Sequence, residues 1–131
     1  MAFSDTCNDQ LDSPLDCMGF LYMTMGAADG HLDENEMMET CNTLGEWPDV
    51  SVDDIAQSIM NATGVMQAVK NEDDIPTALS HCCMVLKNGM TEKARQAVLS
   101  DLARIAQADG EISDGEGRYF MIVKTGLGIE A

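Results

Sequence analysis

The first 69 residues contain no lysine and no arginine, yet they carry thirteen aspartates and glutamates. Over all 131 residues, 7 basic side chains stand against 23 acidic ones, for a formal net charge of −16. A chain of that sign repels phosphate backbones and anionic lipid, which makes nucleic acid and membrane surfaces poor partners. Divalent cations, a basic protein surface, or plain solubility remain as readings. Aromatic residues make up only 5% and prolines number three, and runs of β-branched residues are nearly absent. Helix is therefore the favoured element. No stretch of eighteen apolar residues occurs, so no transmembrane segment is expected. Met1-Ala2-Phe3-Ser4-Asp5 lacks the basic and apolar regions of a secretory leader. The five cysteines are odd in number and lack framework spacing, which points to free thiols in a reducing compartment. The expected location is cytoplasmic. With two histidines, no Gly-rich phosphate loop and no Ser/His/Asp arrangement, the chain is not expected to be an enzyme.

What is present is helical periodicity. Ser13 and Pro14 read as the N-cap and first residue of a helix whose apolar face is Leu15, Met18, Leu21, Tyr22 and Met25. Gly26-Ala27-Ala28-Asp29-Gly30 ends it. Asp33 and Glu36 resemble a capping box for the next helix, with Met37, Met38, Cys41 and Leu44 on one face and Gly45 as its stop. Ser51 caps a helix from about Val52 to Ala62, and Gly64 divides it from a short helical stretch reaching Lys70. Ile75-Pro76 opens another helix that Gly89 stops. A long helix begins at Thr91-Glu92 and ends at Ala108-Asp109-Gly110, and a last one follows Ser113 and closes at Gly126. These six to seven helices give an all-α fold with residues 1–12 as an acidic N-terminal segment and 13–131 as a single helical domain.

One element occurs twice. Ala28-Asp29-Gly30-His31-Leu32-Asp33-Glu34-Asn35-Glu36 aligns without a gap on Ala108-Asp109-Gly110-Glu111-Ile112-Ser113-Asp114-Gly115-Glu116. Both read Ala-Asp-Gly-x-(Leu/Ile)-x-x-x-Glu, preceded by an apolar helix and followed by an amphipathic one. Glycine permits the tight reversal, the Leu or Ile anchors the loop in the core, and the final Glu falls near a helix N-terminus, where the dipole favours a carboxylate. Two such hairpins suggest a bundle with pseudo-twofold packing. The pattern half-resembles a calcium-binding EF-hand loop, but the positions that must carry its first two oxygens would be Met25 and Ala27 in one copy and Ile105 and Gln107 in the other. Neither loop is an EF-hand.

The Ala-Asp-Gly helix ending, the capped helix with its Glu, and the second copy near the C-terminus resemble the TerB-like domain family. That family includes the tellurite-resistance protein TerB and the N-terminal region of the co-chaperone DjlA. The resemblance covers roughly Leu15 to Gly128 and is closest from Ala94 through Gly126. It implies an all-α pseudo-symmetric bundle, a role in stress response, and a divalent cation such as Ca2+ or Mg2+ held by the paired acidic motifs. Carried over by position, the metal residues would be Asp29, Asp33, Glu36, Asp109 and Glu116. Ser113 stands where the first copy has Asp33, and Gly115 lies inside the second capped turn, so the second loop offers fewer oxygens. Two readings stay open. In one, the loops converge and hold a divalent cation through hard oxygens. In the other, the same carboxylates only cap helices, and the domain is a metal-free protein-interaction or co-chaperone-like module whose acidic face docks a basic protein partner.

The remaining candidates have plainer expectations. His31 is expected as an exposed loop residue. His81, Cys82 and Cys83 match no zinc spacing, so the two thiols are expected as a buried structural pair. Met18, Met25, Met37, Met38 and Met121 fall on inward faces, whereas Met23 is expected at the surface. Cys7 and Cys17 would be reactive only if exposed.

Overall fold

The computed structural model of the protein describes residues 2–26, 34–107 and 114–129, the side chains of Asn35, Glu36 and Glu116 excepted. Among the described residues there are seven helices and no strand: α1 Phe3–Gln10, α2 Pro14–Gly26, α3 Glu34–Gly45, α4 Val52–Ala68, α5 Asp74–Gly89, α6 Glu92–Ala106 and α7 Asp114–Gly126. The all-α expectation holds. Segment 1–12, expected only as an acidic stretch, contains α1, which packs on α4 and α5 and sends Cys7 into the core, with Leu11 buried just beyond its end.

Three helix starts follow from local chemistry. Ser13 Oγ accepts from the backbone N–H of Asp16 at 3.2 Å, and Thr91 Oγ1 accepts from that of Ala94 at 3.2 Å. Ser51 and Asp54 form a reciprocal box, each side chain accepting from the other's backbone N–H at 3.1 Å. Each cap supplies an acceptor that the first turn otherwise lacks, worth typically ~1 kcal/mol.

α2 is the central helix. Every residue from Asp16 to Gly26 is buried, because α2 packs against α3, α4, α5, α6 and α7. A helix apolar all round belongs in the middle of a bundle, and this is why Met23 is buried rather than exposed. Met38 and Met121 are each 57% exposed. The inner face of α3 runs through Met37, Thr40 and Leu44, and Val123 with Leu127 sets that of α7. Both were expected to face inward, but Met38 sits one residue, about 100°, from the α3 stripe, and Met121 sits two residues, about 200°, from Val123, on the far side of α7.

α4 differs from the sequence expectation. It continues through Gly64 to Ala68 because its buried stripe, Ser58, Ala62 and Val65, stays on α2 over the full length. Gly64 itself is exposed and costs the helix about 1 kcal/mol against alanine, which the tertiary burial outweighs. The α2–α4 interface is the most extensive in the molecule, and Gly19 permits its closeness. A Cβ at Gly19 would collide with Ser58 Oγ, while its next nearest atoms, Ser58 Cβ and carbonyl oxygen, would both lie at an ordinary 3.6 Å. Ser58 Oγ in turn donates to the Leu15 carbonyl at 3.0 Å. Gly19→Ala is expected to destabilise by about 1–2 kcal/mol, and to become neutral or stabilising in a Ser58→Ala background, where the obstructing oxygen is gone. A coupling energy near zero in a denaturant double-mutant cycle would refute that account.

α7 ends at Gly126, as expected from the sequence. Its last carbonyls are satisfied just beyond, where Gly128, at φ +72°, has its N–H donating to Thr125 and Ile129 N–H donates to Lys124. This is the Schellman arrangement, in which a left-handed residue satisfies the last carbonyls.

Candidate functional site

The two repeated motifs of the sequence sit at corresponding places in the fold. Residues 27–33 connect α2 to α3, residues 108–113 connect α6 to α7, and the paired helices pack on each other in both cases. Asp29, Asp33 and Asp109, with the side chains of Glu36 and Glu116, lie outside the described residues, as do His31 and Ser113. Among the described residues, no group of three or more His, Cys, Asp or Glu side chains is arranged to hold a metal ion.

The described residues that flank the loops do have a definite geometry. Asp101, on α6, accepts from Tyr22 Oη at 2.8 Å and from Trp47 Nε1 at 2.9 Å, both through Oδ2. Its Oδ1 accepts from Arg104 at 3.3 Å. Arg104 also donates to Glu46 at 2.9 Å and to Thr43 Oγ1 at 3.4 Å, and lies 4.0 Å from Glu39. This junction ties α2, α3, α6 and the turn after α3 together. Tyr22 is fully buried, and burial, followed by the negative charge of the carboxylate it faces, pushes its phenol far above the ordinary range. The hydroxyl is therefore a permanent donor. Both Asp101 oxygens are engaged, one by Tyr22 and Trp47 and the other by Arg104, which holds α2, α3 and α6 together.

The order of these contacts fixes direction. Trp47, which follows α3, meets Asp101; Thr43 and Glu46 meet Arg104; and Glu39, earlier in α3, lines one surface depression with Ala103, Arg104 and Gln107. The helices α3 and α6 run antiparallel. The chain leaves the first acidic loop just before Glu34 and enters the second just after Gln107. Glu34 and Glu39 are five residues apart on one helix, roughly 7–8 Å of rise. The described ends of the two loops thus lie at the same end of the α3–α6 pair.

Arg104 also changes the electrostatic picture drawn from the sequence. The first half of the chain lacks bases in sequence but not in space, since Arg104 reaches over from α6 to two of its carboxylates, Glu39 and Glu46, besides pairing with Asp101 on its own helix. Its side chain is nearly half exposed, so each such ion pair is worth only about 0.2–1 kcal/mol. The residues that sequence reasoning missed are Trp47 and Asp101. One signal was available: Asp101 falls in the inward stripe of α6 with Ala94, Val98 and Ile105, and a carboxylate there requires donors. The lone tryptophan, with an indole N–H to satisfy, is one such donor.

Cys82 and Cys83 are buried as expected, and so are Cys7 and Cys17. No helix among the described residues is long and apolar enough to cross a membrane.

No curated protein and no solved structure matches the chain. The family model for tellurite resistance protein TerB matches residues 16–131, which takes in α2 from its third residue, α3 to α7 and both acidic loops. The chain therefore belongs to the TerB family.

Proposed function

We propose that this TerB domain is a cytoplasmic, non-catalytic stress-response module that binds a divalent cation through its two acidic loops. The observation that carries this reading is the neighbourhood of Glu39 and Gln107, which brings the described ends of both loops to one end of the α3–α6 pair. Asp29, Asp33 and Glu36 from one loop, with Asp109 and Glu116 from the other, would form the donor set. These are all carboxylate oxygens, hard ligands suited to Ca2+ or Mg2+ rather than to a thiophilic metal. Bound cation would neutralise charge that Arg104, occupied by Glu39, Glu46 and Asp101, leaves uncompensated.

Chelator-treated protein titrated with Ca2+ and with Mg2+ at matched ionic strength should release or absorb heat and melt at a higher temperature. At one hundred times Kd the stabilisation is about 2.7 kcal/mol. Asp29→Ala combined with Glu36→Ala should remove both effects. Neither heat nor a Tm rise at millimolar ion would end the cation reading.

A second reading keeps the acidic surface without the metal. Asp9, Asp12, Asp49, Asp53 and Asp54 are exposed and have no ion-pair partner among the described residues. Val52, 82% exposed, stands beside Asp53 and Asp54. Such a face suits a basic protein partner, and a complex of that kind would weaken steeply with added salt.

A further inference from the structure

The turn that follows α3 encloses a small cavity against the surface of α6. Glu46, Trp47 and Pro48 line it from the turn, and Ala97 and Asp101 from the helix, around a space of about 310 Å³. It lies beyond the end of α3, away from the first acidic loop, which enters that helix at its start. The walls are held in place. Glu46 N–H donates to the Thr43 carbonyl and Trp47 N–H to that of Leu44, each at 3.2 Å, and the indole N–H is fixed by Asp101. Pro48 locks its own φ, and Asp49 then turns the chain in the left-handed region, at φ 64°.

An indole, a proline and an alanine, with a carboxylate at the edge, suit a guest that is flat, cationic and weakly hydrated. A guanidinium is such a group: it stacks on aromatic rings and offers paired donors to a carboxylate. An ammonium is more strongly hydrated and gives up more on entering. These carboxylates already accept one guanidinium, since Arg104 spans Glu46 Oε2 at 2.9 Å and Asp101 Oδ1 at 3.3 Å. The Glu46 side chain is 60% exposed, and its Oε1 has no partner among the described residues.

The surrounding charge favours a cation as well. Residues 46–54 hold four acids, Glu46, Asp49, Asp53 and Asp54, and no base. The first turn of α4 folds back on the end of α3, where a Cβ at Gly45 would stand 3.6 Å from Ile55 Cδ1, so Asp53 and Asp54 begin their helix beside this turn. Against these four and Asp101 stand two bases of α6, Lys93 and Arg104, each about one turn from a lining residue. Five acids against two bases leave the approach negative, and the net charge of −16 adds to the attraction.

We propose that this cavity seats one arginine side chain from a basic segment of a partner protein, its guanidinium against Trp47 and its donors on Glu46. The proposal deepens the reading of an acidic face that docks a basic partner, and it rests on that reading. Asp53 and Asp54 attract the flanking bases of the same segment.

The test titrates the full chain with acetylated, amidated pentaarginine, and in parallel with pentalysine, at low salt, reading heat and the emission of Trp47, the only tryptophan. Pentaarginine should bind saturably, change that emission, and bind about threefold or more tighter than pentalysine. Ala97→Leu fills the cavity from an exposed helical position with a strong helix former, and should weaken pentaarginine roughly tenfold. Glu46→Gln should weaken it about fivefold, with circular dichroism unchanged in both variants. Binding heat without a change in Trp47 emission, at an affinity that Ala97→Leu leaves alone, overturns the cavity and spares the acidic face as a docking surface. Equal affinities for the two peptides overturn the choice of arginine. Failure of both peptides to bind at low salt overturns the cavity and the acidic face together.

Discussion

Gly126→Ala should lower stability by about 2–3 kcal/mol, a fall of roughly 8–12 °C in melting temperature for a domain of this size. A Cβ placed at Gly126 would meet Cys83 Sγ at 2.7 Å and Cys83 Cβ at 2.8 Å. The second distance decides the outcome. A sulfur can swing to another rotamer, but a Cβ is fixed by the backbone of α5, so α7 itself must move away. That movement would disturb the Cys83 Sγ contact with the Val123 carbonyl and the packing of Val123 and Leu127, both fully buried. Cys83→Ala should therefore fail to rescue Gly126→Ala, because the obstructing Cβ remains. The contrast with Gly19 is informative: there the obstacle is a hydroxyl oxygen and truncation of Ser58 removes it. Rescue in one pair and none in the other, measured in parallel denaturant titrations, would separate a side-chain collision from a backbone one. A Gly126→Ala protein as stable as the parent would show that α7 is not held at this distance.

The contrast between the two glycines bears on what could be read beforehand. Helix starts at Pro14, Val52 and Glu92 were legible because a cap is a local arrangement: Ser13, Ser51 and Thr91 each reach a backbone N–H three residues on. Gly126 was legible as the end of α7, but the close approach to Cys83 that also requires a glycine there was not, because Cys83 lies on α5, some forty residues away in sequence. Gly64 looked like a breaker, and burial of the α4 stripe on α2 overrides it. Met23 looked exposed because periodicity assumes one buried face, and α2 has none that is not buried. The TerB character was legible in the repeated Asp-Gly motif, since that pattern is contiguous. The base-free first half was legible too, but its meaning was not. Arg104 lies 58 residues from Glu46, and no local pattern announces that it neutralises that part of the surface. Whether charge accumulates at a site depends on such long-range pairings, so the acidic loops could be found by sequence while their electrostatic surroundings could not.

Asp101→Ala should cost about 2–5 kcal/mol, the other large effect expected here. The carboxylate does three things at once: it accepts from Tyr22 and Trp47 through one oxygen and from Arg104 through the other. Its removal leaves the fully buried Tyr22 hydroxyl and the Trp47 indole N–H without their acceptor, and each buried donor so stranded costs about 1–3 kcal/mol. Arg104 keeps Glu46 and its partner Thr43, so the exposed ion pairs contribute little to the loss. Removing the donors one at a time should be gentler. Tyr22→Phe leaves Asp101 with two partners and should cost about 1 kcal/mol, the net worth of an ordinary hydrogen bond. Asp101→Asn retains a carbonyl oxygen for Tyr22 and Trp47 but turns its amide N–H donors toward Arg104, and should fall between the two. Trp47, the only tryptophan, reports on the junction directly through its fluorescence. Asp101→Ala should shift its emission even in the native baseline, because the indole N–H loses the acceptor that fixes it against α6. A cost for Asp101→Ala no greater than that of Tyr22→Phe would mean that the carboxylate is not the organiser of this end of the bundle.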